Sequence, residues 1–200
     1  MSEIDEVNFQ IGGMSQKTHE IYGVKGDLEK VLGNMKEVVR LRREHKGRPR
    51  VVCGMILMRH NEGEVGIFQN KMKEMGIDEA VLVDPCVRTI EQGRLYLPKD
   101  KKRWRYDREA FQKGMLRPRF IPRNSCQWIY YSMVILANGD IVPCCRDTKG
   151  EHVMGNILDQ DMKDIWGGER YRAFRRQLLI DQSKMDICRL CSGYPASSLK

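Results

Sequence analysis

The sequence predicts an α/β protein, with about three parallel βα units in the first hundred residues and a small β-hairpin plus helix domain at the C-terminal end. Three observations predict it. Short apolar runs alternate with stretches of helical period up to about residue 84. A strongly basic segment follows them. Beyond it, four of the seven cysteines, Cys126, Cys144, Cys188 and Cys191, are set around an Asn-Gly turn.

The first strand is expected over residues 6–11, ending at Gly12-Gly13. A helix follows from about Asp27, its N-cap, with Leu28, Val31, Leu32, Met35, Val38, Val39 and Leu41 on one broad face. The second strand, 50–58, is a nearly continuous apolar run, as expected of a strand covered on both faces. A helix over 64–75 presents Val65, Phe68, Met72 and Met75 and stops at Gly76, a suitable left-handed cap. The third strand is 79–83. Three such units are too few for a closed eight-stranded barrel, so residues 1–98 read as a partial (β/α) barrel. An open parallel edge calls for a partner, and another chain is the expected source of the missing strands.

Residues 99–123 hold ten Lys or Arg against three Asp or Glu, which is seven of the net charge of +8. With Trp104, Tyr106, Phe111 and Phe120 interleaved and two prolines near its end, the segment reads as a basic linker. Single-stranded nucleic acid can bind such a mixture by phosphate contact and stacking. No RNA-binding motif accompanies the charge, so nucleic acid is not the expected partner. The chain opens with MSEIDEVNF, which lacks a basic then apolar leader, and its longest apolar run is far short of a bilayer span. A reducing, cytoplasmic location is therefore expected, where clustered thiols serve as metal ligands rather than disulfides.

In the third segment, 124–200, a strand over 130–136 is expected to pair with Ile141-Val142 across Asn138-Gly139, which supplies the positive φ angles of a tight turn. That hairpin brings Cys126 and Cys144 together although 18 positions separate them. A helix over 161–179, with Ile165, Tyr171, Phe174 and Leu178 inward, leads to Cys188-Arg-Leu-Cys191, a turn able to grip one metal centre. Four thiolates suit either one tetrahedral Zn²⁺ or an iron-sulfur cluster. Of the adjacent Cys144 and Cys145, one is expected to ligate, since neighbours on an extended segment point to opposite sides. Cys53 and Cys86 read as small apolar fillers, and His152 as a loop residue.

On these residues the sequence resembles the SPASM or twitch extension of radical S-adenosylmethionine enzymes. The resemblance is carried by Cys126-Gln-Trp, the run from Asn138-Gly139 through Pro143-Cys144-Cys145-Arg146-Asp147, Gly155-Asn156-Ile157, Asp164-Ile165-Trp166 and Cys188-Arg-Leu-Cys191. Its G-x-x-x-x-C element, Gly139 to Cys144, favours Cys144 as the ligand. The resemblance implies an auxiliary 4Fe-4S cluster on Cys126, Cys144, Cys188 and Cys191 that accepts or relays an electron or shapes a substrate pocket. A non-catalytic zinc module with a nucleic-acid-binding segment is the alternative. The first hundred residues look like the later half of the same family's barrel, with Asn61 where such enzymes approach S-adenosylmethionine. The family's cluster triplet C-x-x-x-C-x-x-C is absent from the sequence. The resemblance thus implies a C-terminal portion that does not cleave S-adenosylmethionine alone and needs a separate N-terminal half. Family substrates include peptides, proteins and sugars.

Overall fold

The computed structural model describes residues 4–44, 47–120 and 124–191. The chain divides into two compact units, Met1–Met115 and Leu116–Lys200. In the first, strands β1 (Glu6–Ile11), β2 (Arg50–Ile56) and β3 (Glu79–Val83) form a parallel sheet in the order β1-β2-β3. Val7 pairs with Val51 and Gln10 with Gly54 on one side of β2, and Cys53 with Ala80 on the other. Five consecutive residues of β2, Val51 to Met55, are buried, as the apolar run predicts for a central strand.

The connections are α1 (Gln16–Tyr22) and α2 (Leu28–Glu44) after β1, and α3 (Val65–Glu74) after β2. Helix α2 begins where Asp27 accepts the Lys30 N–H at 3.0 Å. Helix α3 closes at Gly76, whose φ of +73° lies in the left-handed region. Ile11, Leu28, Met35, Cys53, Met55, Phe68 and Met72 form the core between sheet and helices. Helix α1 is not expected from hydrophobic periodicity. A Ser15–Thr18 capping box starts it, a signal in the sequence that the apolar pattern overlooks.

Residues 99–115 are not a solvated linker. Helix α4 (Ile90–Tyr96), a 3₁₀ turn (Lys101–Arg103) and α5 (Arg108–Gln112) belong to the first unit. Trp104 is buried and donates through Nε1 to Pro98 O at 2.7 Å. Tyr106 is buried too. Its hydroxyl donates to Val87 O at 2.7 Å and accepts the Val87 N–H at 2.6 Å. Trp104 and Tyr106 outweigh the charges because each finds both an apolar bed and a backbone partner. The end of the basic segment, 121–123, lies outside the described residues.

The second unit holds an antiparallel sheet of three short strands, β4 (Val134–Ile135), β5 (Asp140–Val142) and β6 (Gly155–Asn156), in that order. Helices α6 (Met162–Gly167) and α7 (Glu169–Asp181) follow. A single helix over 161–179 is expected, but Gly168 is extended (φ −69°, ψ 164°) and divides it. A Cβ at Gly168 would sit 2.8 Å from Asp164 O, so the break depends on the missing side chain. The inward face is as expected, with Ile165, Tyr171, Phe174 and Leu178 packed on Ile129, Ile141, Met154 and Met185. No helix among the described residues is long and apolar enough to cross a membrane.

Candidate metal centre

The hairpin that positions Cys144 differs in detail from the expected two-residue turn. Its first strand starts at Val134 rather than at residue 130, since Trp128–Tyr130 form a 3₁₀ turn. Only Gly139 has positive φ (+85°) in the loop. The Gly139 N–H donates to Leu136 O at 2.9 Å and the Leu136 N–H to Asp140 O at 2.8 Å, a three-residue loop that needs glycine only at its last position. Asn156 secures the tip, donating through Nδ2 to Asn138 O at 3.1 Å and to Asp140 Oδ1 at 3.0 Å.

Three polar braces hold the cysteine-bearing segments. Asn124, at φ +47°, leads into Cys126; it donates to Ile180 O and accepts the Gln182 N–H, both at 3.0 Å, which ties that segment to the end of α7. Asp147 closes the turn after Cys144, with its N–H on Cys144 O at 3.1 Å. Its buried carboxylate accepts the N–H groups of Glu151 (2.8 Å) and His152 (2.7 Å). Asp186 accepts the Ile187 N–H at 2.7 Å and meets His152 Nε2 at 2.9 Å, joining the Cys144 segment to the C-x-x-C turn. In that turn the Cys188 N–H donates to Met185 O and the Cys191 N–H to Cys188 O. His152 is thus engaged as a strut. None of the three braces is signalled by cysteine spacing, and only the turn-forming chemistry of Asn and Asp hints at them.

The four cysteines lie within electrostatic reach of one another. Burial pushes the Cys188 thiol up to about 12, with Cys144, Cys191 and Cys126 adding to the rise and Arg146 opposing it. Burial likewise pushes Cys144 up to about 11, against the Arg146 backbone N–H that donates to its sulfur. All four thiols are partly shielded, whereas Cys145 is exposed. Cys126 and Cys188 pack directly on the apolar core. Among the described residues, no three His, Cys, Asp or Glu side chains close on the geometry of a single ion. A cavity of ≈ 240 Å³ opens beside Cys188 and Cys191, edged by Arg117, Arg189 and Gln182.

The donor set fits an iron-sulfur group. Soft sulfur ligands, half-buried and without a competing carboxylate in the set, suit iron-sulfur or zinc. Mutual repulsion of their anions is relieved when cationic metal replaces the protons.

In the first unit, Asn61 is fully buried and its amide is spent on the fold. It donates to Gly12 O and Ile56 O, both at 2.8 Å, and accepts the Met58 N–H at 2.7 Å. Its side chain thus clamps the ends of β1 and β2 together, with the amide engaged by the backbone. Gln10 lies across the neighbouring strand, where a Cβ at Gly54 would stand 2.2 Å from its Nε2. Cys53 is a buried filler in β2, with its thiol pushed up to about 12 by burial. Cys86, three residues beyond β3, is exposed rather than a buried filler.

Comparison with known proteins agrees with this geometry. Residues 126–192 match the SPASM family, an iron-sulfur cluster-binding domain. A segment of 61 residues is 35% identical to the S-adenosyl-L-methionine-dependent 2-deoxy-scyllo-inosamine dehydrogenase of Niallia circulans, covering 30% of this chain and 24% of that protein. The match therefore spans about a quarter of that relative's length. Among solved structures, native anSMEcpe with bound AdoMet and Kp18Cys peptide shares the fold at a TM-score of 0.51 and 16% identity, over 94% of this chain and 58% of that one. BtrN in an open conformation aligns over 95% of this chain and 92% of its own at a TM-score of 0.34 and 16% identity. Residues 126–192 are therefore a SPASM iron-sulfur cluster-binding domain.

Proposed function

We propose that Cys126, Cys144, Cys188 and Cys191 hold an auxiliary 4Fe-4S cluster that serves electron transfer or substrate positioning in the radical modification of a peptide, protein or sugar-like molecule. The observation that carries this reading is the convergence of four partly buried thiols on three separately braced segments. Such bracing holds the ligand-bearing segments near one another. When bound, the cluster supplies one-electron redox chemistry, which suits removal of an electron from a substrate radical. The chain's own residues shield the sulfurs with the Ile129 and Tyr171 core and bring the positive charge of Arg146 toward Cys188. A dehydrogenase among the relatives and a peptide-bound enzyme among the fold neighbours fit both kinds of substrate.

The three βα units act in this reading as the later half of a partial barrel. Strand β1 is hydrogen-bonded to β2 on one side, and its other edge is where strands of an N-terminal half would add. That half would bring S-adenosylmethionine and its cleaving cluster, in a reducing cytoplasmic setting that keeps the thiols free.

Anaerobic purification tests the proposal. Wild type is expected to be brown, with about four iron and four sulfide per chain. Cys144→Ala should lose the chromophore, while Cys145→Ala keeps it. Colourless wild type holding one zinc overturns the cluster, and loss of iron in Cys145→Ala alone overturns the ligand set.

A further inference from the structure

Tyr171 lies at the centre of the second unit's core with no exposed surface, and its hydroxyl has no hydrogen-bond partner. A buried hydroxyl without a partner is an exception that calls for a reason. The ring cannot turn the hydroxyl toward water. Trp166 packs against it at a centroid distance of 5.0 Å, and the Arg175 guanidinium covers it at 4.6 Å. Arg175 is itself fixed, donating through Nε to Ile129 O at 3.2 Å and through Nη1 to Trp166 O at 3.0 Å. Rotation about the ring axis leaves the oxygen where it is, so its position is set by packing.

That core is shared with the cysteines. Cys126 and Cys188 pack on the core cluster that contains Tyr171. Cys144 is close enough to act electrostatically on the phenol, although its sulfur is not a hydrogen-bond partner of the hydroxyl. The unused donor thus lies in the core on which two of the four cysteines pack, within electrostatic reach of a third.

Resting on the cluster reading above, we infer that the Tyr171 hydroxyl donates a hydrogen bond to the sulfurs of the bound cluster on its Cys144 side, and so sets its reduction potential. A donor to sulfur stabilises the more negative, reduced state and raises the potential. Tyr171 is a positioning and tuning residue in this scheme. It neither ligates iron nor exchanges electrons.

The test uses the full-length chain, purified anaerobically, with iron and sulfide analysis and an EPR-monitored potentiometric titration. Tyr171→Phe keeps the ring and removes only the oxygen. It is expected to retain iron and to shift the reduction equilibrium three- to tenfold toward the oxidised form, a fall of about 30 to 60 mV for a one-electron couple. Site-specific replacement of Tyr171 by 3-fluorotyrosine, a stronger donor of nearly the same size, should move the potential upward. A fully loaded Tyr171→Phe variant at the wild-type potential overturns the inference and leaves the cluster reading intact. If Tyr171→Phe fails to hold iron, the fluorotyrosine protein decides, and an unmoved potential there overturns the inference. Wild type without iron overturns both.

Discussion

A carboxylate inside a protein is stable only where hydrogen bonds replace its water. Asp147 is 2% exposed and meets that condition through two backbone donors, Glu151 and His152, while its own N–H fixes the Cys144 carbonyl. One side chain therefore shapes the loop that carries a proposed ligand and orients the strut residue His152. Asp147→Ala leaves two backbone N–H groups without their acceptor and should destabilise the second unit by about 3 kcal/mol. The expected observation is a lower urea midpoint together with reduced iron per chain after anaerobic reconstitution. Unchanged iron and midpoint would show that the loop holds its form without the carboxylate. Asn61 teaches the complementary lesson in the first unit. Its place after β2 suggested a cofactor contact, yet all three of its hydrogen bonds go to the backbone. At the level of one residue a strand-end asparagine looks the same in sequence whether it serves a ligand or the fold.

The strands and helices of the first unit meet at Asp78, the residue before β3. Its carboxylate accepts the Val51 N–H at 2.7 Å and pairs with Arg42 of α2, whose guanidinium also donates to Gly76 O at 2.7 Å. The Val51 N–H bond is the main cause holding the Asp78 carboxyl below the usual aspartate value of 3.8, with Arg42 and Arg50 assisting. A depressed carboxyl contributes stability that is complete above 3.8 and is lost as pH falls through its lower folded value. Asp78→Asn should therefore destabilise the unit by about 1 kcal/mol at pH 7, a modest figure because the group is partly exposed and screened. Its urea midpoint should converge with that of wild type as pH falls from 3.8 through the lower folded value of Asp78. A gap that persists unchanged at low pH would assign the loss to packing rather than to the charge. At this scale the parallel strands were legible because β-branched apolar runs and a glycine stop at Gly76 marked them. The helices beyond β3 were not. Ile90–Tyr96 and Arg108–Gln112 are short and polar, and they are held by one close fit: a Cβ at Gly93 would stand 2.5 Å from the Phe111 ring. A contact between residues 18 apart in sequence has no periodic signature, so a surplus of charge concealed a packed segment.

Across the whole molecule the two units differ in what holds them. The first has a parallel sheet with helices over it and a core running from Ile11 to Met72. Among its described residues the second has seven strand residues in three strands, and a core of eight buried side chains backed directly by Cys126 and Cys188. Small domains of this kind gain much of their stability from metal, and structural Zn²⁺ supplies about 10–16 kcal/mol in finger peptides. That scale matches or exceeds the whole net stability of an ordinary domain, about 5–15 kcal/mol. Removing the proposed cluster should therefore act on one unit alone. Loss of iron would free four thiols whose segments then rely on the Asn124, Asp147 and Asp186 braces. Treating anaerobically loaded protein with oxidant and chelator, then following amide hydrogen exchange, should show protection lost across 124–191 and retained in β1, β2 and β3. The Cys144→Ala protein should show the same pattern without treatment. Equal loss in both units would mean that the sheet and the cysteine domain fold as one cooperative body, and retained protection in 124–191 would mean that the braces and the Tyr171 core suffice without metal.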